Sequence, residues 1–213
     1  MQLRKILAVL LFLSISLPVF AVSSKDKASI ASTVADPEPM VVVKNLTNQM
    51  LRELDKSIGH LKNNDKLVNA LVNRIIVPHF DLVIMSRAVI GRDHWQQASS
   101  DTKQQFIKEF THYVIRTYSS ALESYDGEKM KFYPIRGEIG DKVRISSDLL
   151  LKNGPAIQLQ YGLIKEGGQW LIYDFSVDGV SIIKNYNSQF AGILRQKGLS
   201  GLTEQLKKNN LGK

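Results

Sequence analysis

Residues 170–190 read WLIYDFSVDGVSIIKNYNSQF, and the fold turns on how this stretch is divided. Its first part alternates. Leu171, Tyr173, Phe175 and Val177 fall on one side of an extended chain; Trp170, Ile172, Asp174, Ser176 and Asp178 fall on the other. That predicts a strand with one mostly apolar and one mixed face. Asp178-Gly179 is a turn signal. Beyond it the period changes: Val180, Ile183, Tyr186 or Asn187, Phe190 and Leu194 recur three or four apart, as in an amphipathic helix. A strand therefore turns at a glycine into a helix, with Ser181 placed as its N-cap.

Working upstream, the strand is the last of a meander. Val143, Ile145, Ser147, Leu149 and Leu151 share one face of a strand over 142–151, and Asn153-Gly154-Pro155 turns the chain. Ile157, Leu159, Tyr161 and Leu163 alternate in the next strand, which Glu166-Gly167-Gly168 turns into the Trp170 strand. Such spacings predict antiparallel neighbours. A short strand over 131–136 precedes them. The first half of the chain is helical. Pro37 and Pro39 suit the first turn of a helix striped by Val43, Leu46, Met50, Leu54, Ile58 and Leu61. A second, with Leu67, Val68, Leu71, Val72, Ile75 and Ile76, ends at Pro78. A short helix carries Leu82, Val83, Met85, Ala88 and Val89 and is broken by Gly91. Another short turn covers His94 to Ala98. Ser99 or Ser100 caps a long helix to about Tyr125, with Phe106, Phe110, Tyr113, Val114, Thr117, Tyr118, Ala121 and Leu122 on one side. A last short helix runs from Leu202 to Lys208. The order predicts an α+β fold: a curved antiparallel sheet of about four strands packed against a bundle of helices. No repeat or linker splits the chain.

The 213 residues include no cysteine, which excludes disulfides, thiol catalysis and cysteine-based metal sites. Residues 1–21 read as a signal peptide: Arg4 and Lys5, then an apolar run from Ile6 to Leu17, then Val19-Phe20-Ala21 for cleavage. The run is too short to span a bilayer comfortably. Residues 22–36 form an aperiodic lead-in, expected to be disordered, and 37–213 a single domain. Without the signal the chain has 26 basic and 20 acidic residues, a net charge of +6. That suits acidic partners. The basic residues are scattered, with no nucleic-acid-binding run.

Catalytic signals are weak. His60, His79, His94 and His112 show no metal-ligand spacing. Glu109 and His112, three apart on the long helix, fit a surface hydrogen bond better than a site. Asp93-His94-Trp95 is the most suggestive neighbourhood, although a locally bonded histidine near a helix start is the plainer reading. Asp174 and Asp178, four apart on one strand face, form a candidate carboxylate pair; Asp178-Gly179 also fits a turn. No G-x-S-x-G elbow, P-loop or dinucleotide fingerprint is present. The aromatic stripes stand out instead. By pattern alone they read as core.

Three runs carry a resemblance. F80-D-x-x-x-x-x-x-A-V-I-G-R-x-x-W-x-x-A-S99, Q105-F-x-x-x-F with T117-Y-S-S-A-L122, and Y173-D-F-S-V-D-G-V-S181 with N185-Y-x-x-Q-F190 resemble the MlaC family, the toluene-tolerance auxiliary proteins. The likeness covers essentially the whole chain after the signal. It implies a soluble periplasmic phospholipid carrier and no enzyme. Its acyl chains would lie in an apolar cavity between sheet and helices, with no cofactor beyond the bound phospholipid as cargo. It implies a monomer that meets an inner-membrane ABC transporter with an MCE-domain subunit and an outer-membrane lipoprotein–porin complex, maintaining outer-membrane lipid asymmetry. No nucleic acid is implied. Two acyl chains of about 30 methylenes would cost on the order of 20 kcal/mol to leave in water, so a deep dry pocket is needed rather than a groove. Face and resemblance together nominate Met85, Val89, Phe106, Phe110, Val114, Tyr118, Ile145, Leu159, Tyr161, Tyr173, Phe175, Val177 and Ile183 as cavity lining. Family members often carry arginine where Asn187 stands, so any contact made by that arginine is weakened here. Two rivals stay open: a periplasmic hydrolase using Asp93 and His94, and an adaptor with no ligand.

Overall fold

The structure, a computed structural model, describes residues 35–211. The expected signal peptide and most of the lead-in lie outside the described residues. The chain divides into residues 1–37 and 38–213. Of the first unit, residues 35–37 are described and have no regular secondary structure.

The second unit opens with α1 (Glu38–Ser57), whose stripe of Met40, Val43, Leu46, Met50 and Leu54 is buried. Ile58, placed on that stripe by its spacing, is exposed because a 3₁₀ turn over Ile58–His60 breaks the helical period there. Helix α2 (Asp65–Leu71) starts where the Asn64 side chain accepts the Leu67 N–H at 3.1 Å. It widens into a π turn over Val72–Ile76 and then a 3₁₀ turn over Val77–His79. Pro78, which has no N–H to donate, lies in the last of these turns.

Helices α3 (Leu82–Ile90) and α4 (Arg92–Gln97) flank Gly91, whose φ of 83° is a backbone setting that suits glycine. Asp81 caps α3 through the Ile84 N–H at 2.7 Å. Ser99, rather than Ser100, caps α5 (Ser100–Glu123) through the Thr102 N–H at 3.1 Å.

The sheet is an antiparallel meander in chain order, β1 (Lys129–Phe132), β2 (Lys142–Leu150), β3 (Ile157–Glu166), β4 (Gln169–Val177) and β5 (Val180–Ser181). The α+β expectation stands, with a fifth, two-residue strand in place of a direct turn into the helix. Asp178 and Gly179 make that hairpin with φ of 47° and 80°. β1 begins and ends earlier than its pattern suggested. Tyr133 still donates to the Ser146 carbonyl at 3.0 Å, but Pro134 cannot donate and pairing stops.

One correction bears on the site. The register slips between Gly162 and Leu163: Gly162 faces Asp174 while Leu163 faces Ile172, leaving Tyr173 without a partner. This β-bulge resets the alternation of β4. Trp170 and Ile172, expected opposite Phe175 and Val177, lie on the same inner face as those residues. Ile172 pairs with Leu163, Phe175 with Tyr161 and Val177 with Leu159. Tyr173 turns to the outer face. A Cβ at Gly162 would meet its ring at 3.1 Å, and Lys142 Nζ lies 5.5 Å from its centroid.

The run Ile182–Leu211, α6, absorbs the short helix expected over 202–208. It is two helices joined at Gly198, whose φ of 62° and ψ of −171° are not helical.

Candidate functional site

The inner sheet face and the helices form two apolar clusters rather than one. The first joins α1, α2 and the π turn to Val143, Ile145, Tyr161, Leu163, Trp170 and Ile172. The second joins α3, the N-terminal half of α5 and α6, through Met85, Val89, Phe106, Phe110, Tyr186 and Phe190 among others. Phe106 and Phe110 stack at 5.5 Å, and Phe110 meets Tyr186 edge-on at 5.3 Å. Phe175 and Phe80 pack against both clusters. Helix α5 also serves both: Ile115 and Leu122 pack on the first, Val114 and Tyr118 on the second. A seam lined by half-buried apolar side chains thus runs between the clusters, with the sheet on one side and α5 and α6 on the other.

Most of the nominated residues fall in or against one of the two clusters. Met85, Val89, Phe106 and Phe110 are buried in the second cluster, and Val114, Tyr118 and Ile183 are half-buried against it. Ile145 and Tyr161 are buried in the first cluster, with Leu159 half-buried beside them. Phe175 joins the two. Val177 is half-buried at the end of β4, opposite Leu159. Tyr173 is the exception; the bulge carries it to the other side of the sheet. Sequence reasoning did not nominate Phe80, although it opens the first run that carries the resemblance. Phe80 pairs with Ile172 in a parallel bridge, and Asp81 N–H donates to the Ile172 carbonyl at 2.9 Å, so this aromatic is fixed at the edge of β4.

The phenols of Tyr161, Tyr186 and Tyr118 lie in or against the clusters. Burial pushes the Tyr161 phenol up, with the Ser147 and Thr47 hydroxyls partly offsetting it. Burial does the same for Tyr186, opposed by Thr117 and reinforced by Tyr118 and Tyr113. Tyr118 is raised for the same first reason, its hydrogen bond with Tyr186 opposing.

Of the carboxylates considered for catalysis, Asp174, Asp178 and Glu109 are spent on structure. Asp174 accepts from the Phe175 N–H at 2.9 Å, the Ser181 hydroxyl at 2.7 Å and the Ile183 N–H at 3.3 Å. Ser181 Oγ in turn accepts the Lys184 N–H at 3.2 Å, which makes it the expected N-cap of α6. Asp178 Oδ1 accepts from Gln158 N–H at 2.9 Å. Glu109 Oε2 accepts from Asn210 Nδ2 at 2.8 Å, rather than pairing with His112. Asp93 is exposed, and neither its side chain nor that of half-buried His94 is hydrogen-bonded within the described residues. Among the described residues no group of three or more potential ligands could hold a metal, and no helix is long and apolar enough to cross a membrane. Asn187 donates from Nδ2 to the Val89 carbonyl at 2.8 Å, tying α6 to the end of α3. In this chain that position therefore does a structural task.

An antiparallel meander backed by helices, with two apolar clusters meeting in a seam, defines an α+β helices-on-sheet protein. The chain belongs to the family described as MlaC protein, whose profile matches residues 44–208. It is 26% identical over 166 residues to the toluene tolerance protein ttg2D of Pseudomonas putida, covering 78% of this chain and 77% of that one. It is 22% identical over 183 residues to the intermembrane phospholipid transport system binding protein MlaC of Haemophilus influenzae, covering 84% and 85%. A solved phospholipid-binding protein from Ralstonia solanacearum, in complex with a phospholipid, superposes with a TM-score of 0.76 at 27% identity, covering 84% of this chain and 98% of that one.

Proposed function

We propose that this protein is a soluble periplasmic phospholipid carrier. The observation that carries the reading is the seam. Two clusters, touching through Phe175 and Phe80, present half-buried apolar side chains to one another from sheet and helix. Parting them opens a space walled by Phe175, Leu159, Val114 and Tyr118 without breaking a strand pair. The similar Ralstonia protein is one in complex with a phospholipid.

A carrier must replace the burial that acyl chains enjoy in a bilayer, on the order of 20 kcal/mol for about 30 methylenes. Apolar walls provide that; a headgroup left in water needs little from the protein. Transfer then follows from relative affinities at donor and acceptor, so no catalytic group is required. The signal-like residues 1–21 support export to the periplasm. In that compartment the carrier exchanges lipid between an outer-membrane lipoprotein–porin complex and an inner-membrane ABC transporter with an MCE-domain subunit, preserving outer-membrane asymmetry.

The test incubates purified protein with a phospholipid labelled on one acyl chain. A carrier returns intact lipid, bound about one to one, and the double variant Asp93→Ala/His94→Ala binds it equally. Release of labelled fatty acid that this variant abolishes would establish the hydrolase instead.

A further inference from the structure

A concavity of about 640 Å³ lies where α3 meets α4, away from the seam-facing sheet. Its lining includes Arg87, Ala88, Arg92, Trp95 and Gln96, around Gly91. The two arginines are the only charged side chains in that lining, and both are exposed. Neither has a carboxylate within ion-pair distance among the described residues. Asp81 and Asp93, the nearest acids in sequence, lie outside the lining. Ala88 and half-buried Trp95 supply an apolar component between the charges. Lys103 Nζ sits 5.6 Å from the Trp95 ring centroid and adds a third cation at the border.

From this geometry we infer that the concavity docks a protein segment that places carboxylates on Arg87 and Arg92 and an apolar side chain against Trp95. Three observations select that occupant. A volume of this size takes a few side chains, within the range of small binding clefts. Guanidinium groups match carboxylates in a planar, bidentate way, and arginine and tryptophan are among the residue types enriched at the hot spots of protein interfaces. The lining also joins half-buried Trp95 to the two exposed arginines, a mixed apolar and cationic surface that a segment carrying carboxylates and one apolar side chain complements. Gly91 fixes the angle between the two helices, since its φ of 83° is strained for any side chain. The proposal does not rest on the carrier reading.

The test uses the purified full chain and a short fluorescent peptide with two glutamates flanking a leucine, read by anisotropy. Binding should be saturable, and should disappear for the analogue with glutamines in place of glutamates. Arg87→Glu/Arg92→Glu should lower affinity at least about tenfold and should instead bind the analogue with lysines. Both positions are exposed, so its thermal melt and bound lipid should match the parent; the neutral pair Arg87→Gln/Arg92→Gln gives a second, milder variant. No binding by the parent, or equal binding by parent and charge-reversed protein, overturns the proposal. So does arginine-dependent binding to phosphatidylglycerol vesicles without peptide binding, which would make the patch a membrane contact. A parent that binds the peptide but holds no lipid would count against the carrier reading alone.

Discussion

At the scale of residues, Asp174 does more than its place in a turn-rich stretch suggests. Its carboxylate gathers the Phe175 N–H, the Ser181 hydroxyl and the Ile183 N–H, so one side chain fixes the end of β4, the β5 hairpin and the first turn of α6. Hydrogen bonds to a charged acceptor are worth about 1.5–3 kcal/mol each, and they do not add fully. Asp174→Ala should therefore lower the unfolding free energy by roughly 2–4 kcal/mol, seen as a drop in the urea midpoint with an unchanged slope. The seam tyrosines give a pH prediction. Burial raises Tyr186, Tyr161 and Tyr118 in the folded chain, so all remain protonated while their unfolded counterparts ionise near pH 10. The folded state then binds more protons, and stability falls as pH rises. It should be flat in this respect below about pH 9 and decline above about pH 10, by at most about 1.4 kcal/mol per pH unit for each phenol. Tyr186→Phe should make the decline shallower in denaturation curves taken across that range. The residue roles were only partly legible. Ser181 as an N-cap follows from its position before a helical period; Asp174 as a three-way acceptor depends on a hairpin of two residues that no period announces.

Elements were legible where one face is buried. The stripe of α1 and the aromatic side of α5 repeat long enough to fix each helix, and caps at Asn64, Asp81 and Ser99 mark sharp starts. What failed is also physical. Period two in β4 holds only until the bulge at Tyr173, and a single unpaired residue exchanges the faces on either side of it. Gly162 is the trace of that event: its missing Cβ makes room for the Tyr173 ring. Two glutamate variants separate the faces. Val177→Glu puts a charge on the inner face opposite Leu159 and should reduce co-purifying phospholipid at least about tenfold, because an unpaired charge against acyl chains costs several kcal/mol. Tyr173→Glu, on the outer face beside Lys142, should keep its lipid. Equal loss in both, by phosphorus assay on folded protein, would place the cargo elsewhere. The Gly198 break falls in the gap that the periods leave between one helix, read as far as Leu194, and the next, read from Leu202.

For the whole molecule, the α+β order of helices, meander and helix could be read from period changes and turn signals alone. The function could not. Aromatic stripes of this kind read as ordinary core, and the structure does bury most of them. The family resemblance supplied the lipid, and the structure adds the division of the core into two clusters joined at Phe175 and Phe80. On the carrier reading that division matters: a single close-packed core resists opening, whereas two cores that meet along half-buried faces need lose only the contacts between them. The most direct measurement is mass spectrometry of the protein purified without detergent, sprayed under native and then denaturing conditions. The account predicts an added mass equal to one phospholipid in the native spectrum, lost on denaturation. A bare mass in both spectra would contradict it and would mean that the two clusters close on each other as plain core.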